Sequence, residues 1–267
     1  MKHFLSICAV VRDEAPYLAE WIEFHKLQGV EHFYLYENES KDETADVIDL
    51  YVLAGVATHI PWPGTKIQLP AYQHCLDTYG EDNKWIAFLD CDEFLYAKHL
   101  SLPNFLADPL FSEPAIGGVA ARWRLFGSNG LVDQTDDLVI NRFVSRARYP
   151  DKHVKSIVRP SSGAFTGKNP HSFRFPQGRY AVDEHGNKLS EEYGIMLGQT
   201  ADRISINHYH TKSRAEYMKR KKNPDPGSGV IHSSRRLEEM FAAHDLNDIE
   251  DTYIRDKFAA QIKDKLK

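Results

Sequence analysis

Apolar residues along the first hundred positions come in short blocks separated by segments of helical period. Phe4 to Val11 is a continuous apolar run of strand length, the pattern of a strand covered on both faces. In the next segment Pro16 suits a first helical turn, and Leu18, Trp21, Ile22 and His25 share one helical face. Gly29 stands where that helix would end. His32 to Tyr36 (HFYLY) is β-rich and reads as a second strand. Thr44 to Ala54 reads as a second helix with Val47, Ile48 and Tyr51 in register, and Val56 to Ile60 as a third strand. Leu69 to Tyr79 then predicts a third helix and Trp85 to Leu89 a fourth strand.

Strand and helix alternating at this pitch predict an α/β fold: a mostly parallel sheet with right-handed crossovers and flanking helices. Ligands of such sheets bind beyond the carboxyl ends of the strands. The segments at those ends are Arg12-Asp13-Glu14, Glu37 to Ser40, Pro61 to Lys66 and Asp90 to Glu93. The second half is less regular. Val119 to Phe126, Leu138 to Val144, His153 to Val158 and Arg203 to Tyr209 are β-like. Positions 160–200 are rich in Gly, Pro and Ser and read as loops with short strands. Ser213 to Lys222 opens a helix, and Ser233 to Lys267 is helical and charged. No repeat or low-complexity linker divides the chain, so the expected organisation is one domain over 1–222 with 223–267 as its C-terminal helical extension.

Composition narrows the function classes. The 267 residues are 42% hydrophobic and 27% charged, which excludes a disordered or fibrous chain. The formal net charge is −5, which argues against a general nucleic-acid binder. Cys8, Cys75 and Cys91 are too few and too scattered for a disulfide framework or a metal finger. They predict reduced thiols in a cytoplasmic protein. The first apolar run meets Arg12, Asp13 and Glu14 with no cleavage-site pattern, so it reads as a core strand and not a leader. No run approaches the ~18 apolar residues of a membrane span. Any association with the membrane is expected to be peripheral, at its inner face.

Asp90 and Asp92 end the fourth strand at i and i+2, where an extended backbone would point both carboxylates the same way. Adjacent like charges are costly, and a divalent cation with oxygen ligands, Mg2+ or Mn2+, would remove the repulsion. A bare D-x-D is more often a solvated strand end. Its place after the fourth strand of an alternating half favours the metal. His208 and His210 are also two apart on a predicted strand. Each could instead be a structural histidine. Lys212 is a candidate phosphate contact or a surface lysine. Trp123, followed by the loop Gly127-Ser128-Asn129-Gly130, could floor an acceptor pocket or fill a core before a turn. Lys155, Arg159 and His171 are polar outliers for which the plain surface reading leads.

These segments occur in a familiar order. AVVRDEAPYLAEWIEFHKLQGVEHFYLYENES, KWIAFLDCDEFL, RWRLFGSNG, KSIVRP and NHYHTKS together resemble the family 92-like glycosyltransferases, a branch of the GT-A nucleotide-sugar transferases related to family 2. The similarity runs from the first strand to about residue 222. It implies a GT-A, Rossmann-like sheet with an irregular acceptor-side region. It implies transfer of a hexose, with inversion, from a UDP-sugar to the hydroxyl of a glycan or lipid-linked glycan in polysaccharide or glycoconjugate assembly. Asp90 and Asp92 match the metal-binding D-x-D, and His208 matches the fixed histidine of N-H-Y-x-T-K-S, a third ligand for Mn2+ or Mg2+. His210 falls on that motif's variable position and stays outside the expected metal site. Arg12, Asp13, Glu14 and Asn38 match uridine-side loops, with Asp90, Lys212 and Ser213 completing the donor side. Trp123, Gly127, Ser128 and His171 form the expected acceptor side. Glu93, Asp133, Asp136 and Asp137 remain open for the catalytic base.

Two rivals stand beside this reading. A haloacid-dehalogenase-type phosphatase also sets D-x-D after an apolar strand, but there Thr or Val follows two positions on, where this chain has Phe94. An inactive glycan- or nucleotide-binding protein on the same fold would bind UDP without turning over a donor.

Overall fold

The computed structural model describes residues 1–190, 194–196, 200–221 and 230–267. Strand β1 (His3–Val11) is almost wholly apolar because parallel partners flank it on both sides, β2 (His32–Glu37) and β4 (Asn83–Phe88). β3 (Ala57–Pro61) extends the sheet beyond β2. Helices α1 (Ala15–Leu27), α2 (Thr44–Leu53) and α3 (Gln68–Tyr79) carry the chain between these strands. The order β3-β2-β1-β4 reverses its winding between β1 and β4, and the carboxyl ends of that pair open a crevice.

Beyond β4 the sheet is built from later strands. These are β5 (Glu93–Ala97), β6 (Ile116–Leu125), β8 (Val154–Val158), β11 (Tyr180–Val182) and β12 (Ile204–His208). The path continues β4-β8-β6-β12-β5, with β11 beside β6. β8 and β5 run antiparallel to their neighbours, so the mixed α/β sheet is mostly parallel. Short α4 (Leu102–Leu106) follows β5. α5 (Val139–Arg142) and β7 (Ser145–Arg146) precede β8, and β9 (Phe165–Thr166) pairs with β10 (Phe173–Arg174). The chain closes with α6 (Arg214–Lys221), α7 (Ser234–His244), β13 (Ile249–Glu250) and α8 (Tyr253–Lys265).

The period of two along β1 divides the core. Leu5, Ile7, Ala9 and Val11 face α1, whose Leu18, Trp21 and Phe24 are fully buried there. Cys8 faces the other way, against Tyr72 and Cys75 of α3 and Phe88 of β4. All three cysteines are free and buried. His25 ties α1 to β5. The Leu95 amide donates to His25 Nε2 at 3.0 Å, so Nδ1 carries the proton and donates to the Trp21 carbonyl at 2.8 Å. Burial pushes the His25 pKa down to about 3, which keeps this bridge neutral.

Two expectations change. Leu138 to Val144 is not a strand: it holds the helical turn α5. The cause lies far away in sequence. The Glu20 carboxylate accepts the amides of Val139 (2.7 Å) and Ile140 (3.1 Å), satisfying the free donors of a helix start. The second change is β5, a strand that pairs antiparallel with β12 just after the acidic pair. The C-terminal residues share the main core, with Phe24 and Phe258 in edge contact at 5.5 Å. The expected boundary between 222 and 223 lies outside the described residues. Among the described residues no helix is long and apolar enough to cross a membrane.

Candidate functional site

The acidic pair does not lie on extended backbone. The chain turns between β4 and β5, closed by the Glu93 amide on the Asp90 carbonyl at 3.1 Å, so the two carboxylates diverge. Asp90 accepts from Gln68 Nε2 (2.7 Å) and from Lys155 Nζ (2.9 Å). Asp92 turns to His208, Nε2 to Oδ1 3.4 Å, and to the Arg220 guanidinium of α6. Burial alone would raise the Asp92 carboxyl, but His208 and Arg220 outweigh it and hold the group well below the usual carboxylate range.

Asp92, His208 and His210 come together, one ligand atom from each lying within 4.8 Å of the others. Asp90 is not in this cluster, and His210 is. His208 ends β12 where that strand pairs with β5, at the register His208 with Glu93. That pairing delivers the histidine to the turn carrying Asp92. His208 Nδ1 is buried with no hydrogen-bond partner. One carboxylate and two imidazoles form a mixed oxygen and nitrogen set that would suit Mn2+ better than Mg2+.

The loops after the first three strands, expected to face the donor, are knitted together. Asp13, with left-handed backbone at φ 53°, donates its amide to Ser40 Oγ (3.1 Å) and accepts the Lys41 amide (2.7 Å). Glu14 donates its amide to Thr44 Oγ1 at 2.8 Å. Asn38 spends its amide group on the carbonyls of Trp62 (2.8 Å) and Gly64 (3.2 Å), and Arg12 reaches its oxygen at 3.5 Å. Between these loops and the segment after β12 lies a cavity of about 420 Å³, lined by Arg12, Glu14, Tyr17, Lys212, Tyr217 and Arg220 among others. Lys212 takes a left-handed backbone at φ 49°. Its buried ammonium lies 3.8 Å from the centre of the Tyr17 ring and 3.6 Å from Glu14 Oε2, with no hydrogen-bond partner. Burial raises the Glu14 carboxyl against the pull of Lys212 and Arg220. Ser213 is the N-cap of α6: its hydroxyl accepts the Glu216 amide (3.3 Å) while Glu216 accepts the Ser213 amide (3.0 Å).

On the acceptor side Trp123 stands 4.2 Å from the His208 ring and 5.1 Å from His171. His171 donates Nδ1 to the Val154 carbonyl at 3.0 Å, and burial lowers its pKa to about 4. Gly127 and Ser128 are covered by the C-terminal segment. A Cβ at Gly127 would sit 2.6 Å from the Leu246 carbonyl oxygen, and Ser128 donates its amide and hydroxyl to Asp245 at 2.6 and 3.0 Å. Arg159 donates to backbone carbonyls and lies over the Trp85 ring at 4.6 Å, a structural place.

The carboxylates open for the base lie elsewhere. Glu93 is fully buried, accepts the Asp90 amide at 3.0 Å, and sits 3.5 Å from Lys155. Burial lifts its pKa well above the ordinary range despite Lys155, whose charge is balanced by Asp90. Asp133 and Asp136 are exposed, and Asp137 is tied to Lys263 at 2.8 Å.

A mostly parallel α/β sheet thus carries a cavity of mixed charge beyond the carboxyl ends of β1 and β2. The chain belongs to glycosyltransferase family 92, whose description matches residues 3–266. A family 92 protein of Arabidopsis thaliana is 32% identical over 170 residues, covering 60% of this chain and 29% of that protein. Beta-1,4-galactosyltransferase galt-1 of Caenorhabditis elegans is 26% identical over 191 residues, 67% of this chain and 44% of that one. The chain therefore spans less than half the length of these relatives. A crystal structure of S. aureus TarS 1-349 in complex with UDP overlays with a TM-score of 0.39 at 13% identity, over 60% of this chain and 47% of that one.

Proposed function

We propose that this chain is a metal-dependent, inverting glycosyltransferase that moves a hexose from a UDP-sugar to the hydroxyl of a glycan or lipid-linked glycan. The observation that carries the reading is the Asp92, His208 and His210 cluster beside a cavity where Arg12, Lys212 and Arg220 stand among Asp13, Glu14, Asp42 and Glu216. Asp92, His208 and His210 would hold Mn2+ or Mg2+, which supplies positive charge where the leaving diphosphate gathers negative charge. Lys212, Arg12 and Arg220 line the same cavity and offer fixed cations to the diphosphate. Arg220 now sits on Asp92 and would exchange that carboxylate for phosphate oxygens. Trp123, half-buried beside His208, offers an apolar floor to the sugar.

The name of the Caenorhabditis elegans relative makes UDP-galactose the first donor to try. The reading includes a cytoplasmic chain that meets a lipid-linked acceptor at the membrane face, in polysaccharide or glycoconjugate assembly. A phosphatase fits less well, because both Asp90 oxygens are occupied by Gln68 and Lys155. The test is calorimetry with UDP in Mn2+ and in EDTA, followed by hydrolysis of a panel of UDP-hexoses. Equal UDP affinity in EDTA would overturn the metal requirement. Tight UDP binding with no hexose released from any donor would make the chain a binding protein.

A further inference from the structure

The four carboxylates considered for the base are buried, tied to lysine or exposed. A different proton acceptor stands on the other side of the Trp123 indole from His208. Asp151 and His153 occupy the turn leading into β8. Asp151 Oδ1 accepts the His153 backbone amide at 2.9 Å and faces its ring Nδ1 at 2.6 Å. An ionised carboxylate can only accept, so Nδ1 holds its proton and Nε2 is the ring nitrogen left to act as a base. The dyad is fixed to the floor strand by two backbone bonds. Asp151 donates its amide to the Trp123 carbonyl at 2.8 Å, and Trp123 donates its amide to the His153 carbonyl at 3.1 Å. The His153 ring lies 5.2 Å from the Trp123 ring and 5.5 Å from His171, and its side chain is 34% exposed.

We propose that His153, oriented by Asp151, is the general base that deprotonates the acceptor hydroxyl. The proposal rests on the glycosyltransferase reading. Nε2 takes the hydroxyl proton as the acceptor oxygen forms its bond to the anomeric carbon. The bond from that carbon to the UDP oxygen breaks, and its electron pair leaves on the diphosphate. Asp151 holds the imidazolium that results, the role of the carboxylate in an Asp–His pair. Among the described residues the charged and titratable groups around the ring are Asp151, His171, His208 beyond the indole, and Arg122, whose Nε donates to the Asp151 carbonyl at 2.9 Å. Trp123 and the base sit on one rigid piece, so the sugar floor and the proton acceptor keep their spacing.

The experiment uses the whole chain with Mn2+ and water as acceptor. Hydrolysis of UDP-galactose, UDP-glucose and UDP-N-acetylglucosamine is measured first on the native protein. Silence on all three fails the glycosyltransferase reading, and the proposal with it. With a donor that turns over, His153→Ala is expected to lower kcat by about 10²–10⁴, the range of a general base. UDP affinity in Mn2+ and the melting temperature stay near native. Imidazole added to the buffer restores at least about tenfold of the lost rate, by serving as a free base. Turnover within about tenfold of native overturns the assignment, as does a loss that imidazole does not relieve. If the alanine variant melts early, His153→Asn, whose side-chain amide overlays Nδ1 and can keep the bond to Asp151, is read instead. Near-native turnover by that variant again rules the base out.

Discussion

The Tyr17 hydroxyl donates to the Glu216 carboxylate at 2.8 Å, and the same ring carries the Lys212 ammonium at 3.8 Å. Glu216 also receives a bidentate pair from Arg142, at 2.9 and 3.0 Å. Burial opposes the ionised carboxylate, yet Arg142, Ser213 and Tyr17 hold its pKa down to about 2. A depressed carboxyl adds stability above its unfolded pKa and loses it as pH falls toward the folded value. Glu216 therefore supports the fold throughout the neutral range.

Glu216→Gln should cost about 3 kcal/mol, because it strands a buried arginine. Tyr17→Phe keeps the ring beneath Lys212 and should cost only about 1 kcal/mol. Urea denaturation at pH 7 separates the two. Equal losses would mean that the tyrosine hydroxyl, and not the arginine pair, holds α6.

Asp92→Asn should lose metal-dependent turnover by roughly 10²–10³ or more. It should not gain stability. Repulsion between Asp90 and Asp92 is already relieved, since Asp90 is paired with Lys155 and Asp92 with Arg220. A melting temperature clearly above native would show that the two carboxylates still strain the turn.

His210→Ala should weaken Mn2+ binding by about 10–100-fold, as should His208→Ala. Both rings reach Asp92 in the folded chain. Titration of Mn2+ into each variant decides. Native affinity in His210→Ala would return that residue to a structural role beside Tyr217 and His244.

Glu20 gives a pH signature. Burial raises its pKa to about 7, against the pull of the Val139 and Ile140 amides. A raised carboxyl contributes stability fully below its unfolded pKa of 4.5 and loses it as pH climbs through about 7. Glu20→Gln should flatten that fall, worth at most about 3 kcal/mol between pH 5 and 8. Parallel pH profiles of the two proteins would refute this if they keep the same slope.

The first four strands were legible because each is an apolar run between turn residues, and the sheet covers them on both faces. The turn carrying Asp92 and the end of β12 carrying His208 could be read from motifs. His210 was visible beside His208 by its spacing and was set aside by the motif; that it lies with Asp92 depends on a turn and a strand more than a hundred positions apart in the chain meeting at one edge. α5 escaped for the same reason: its capping carboxylate is 119 positions away. Ser213-Arg214-Ala215-Glu216 is a capping pattern visible in the sequence, and it gives that hydroxyl a different task from binding diphosphate. Arg220 was hidden in a basic helix end, where one cation looks like the next. His153 looked like the first residue of a strand, and only the folded turn shows Asp151 beside it.

The contacts of the final segment decide where this protein can be cut. Asp251 is the counterion of Arg146 at 2.6 Å and lies 3.5 Å from Arg124, both guanidinium groups being buried. Phe258 and Ile262 fill the core beneath α1. A chain ended after α6 would keep every strand of the large sheet and all of Asp92, His208 and His210. It would also take the Asp251 carboxylate from two buried arginines, uncover Gly127 and Ser128, and open a hole beside Phe24. Such a fragment should be recovered from cells as aggregate, so the tail behaves as a wall of the core and not as a handle fixed to its outside.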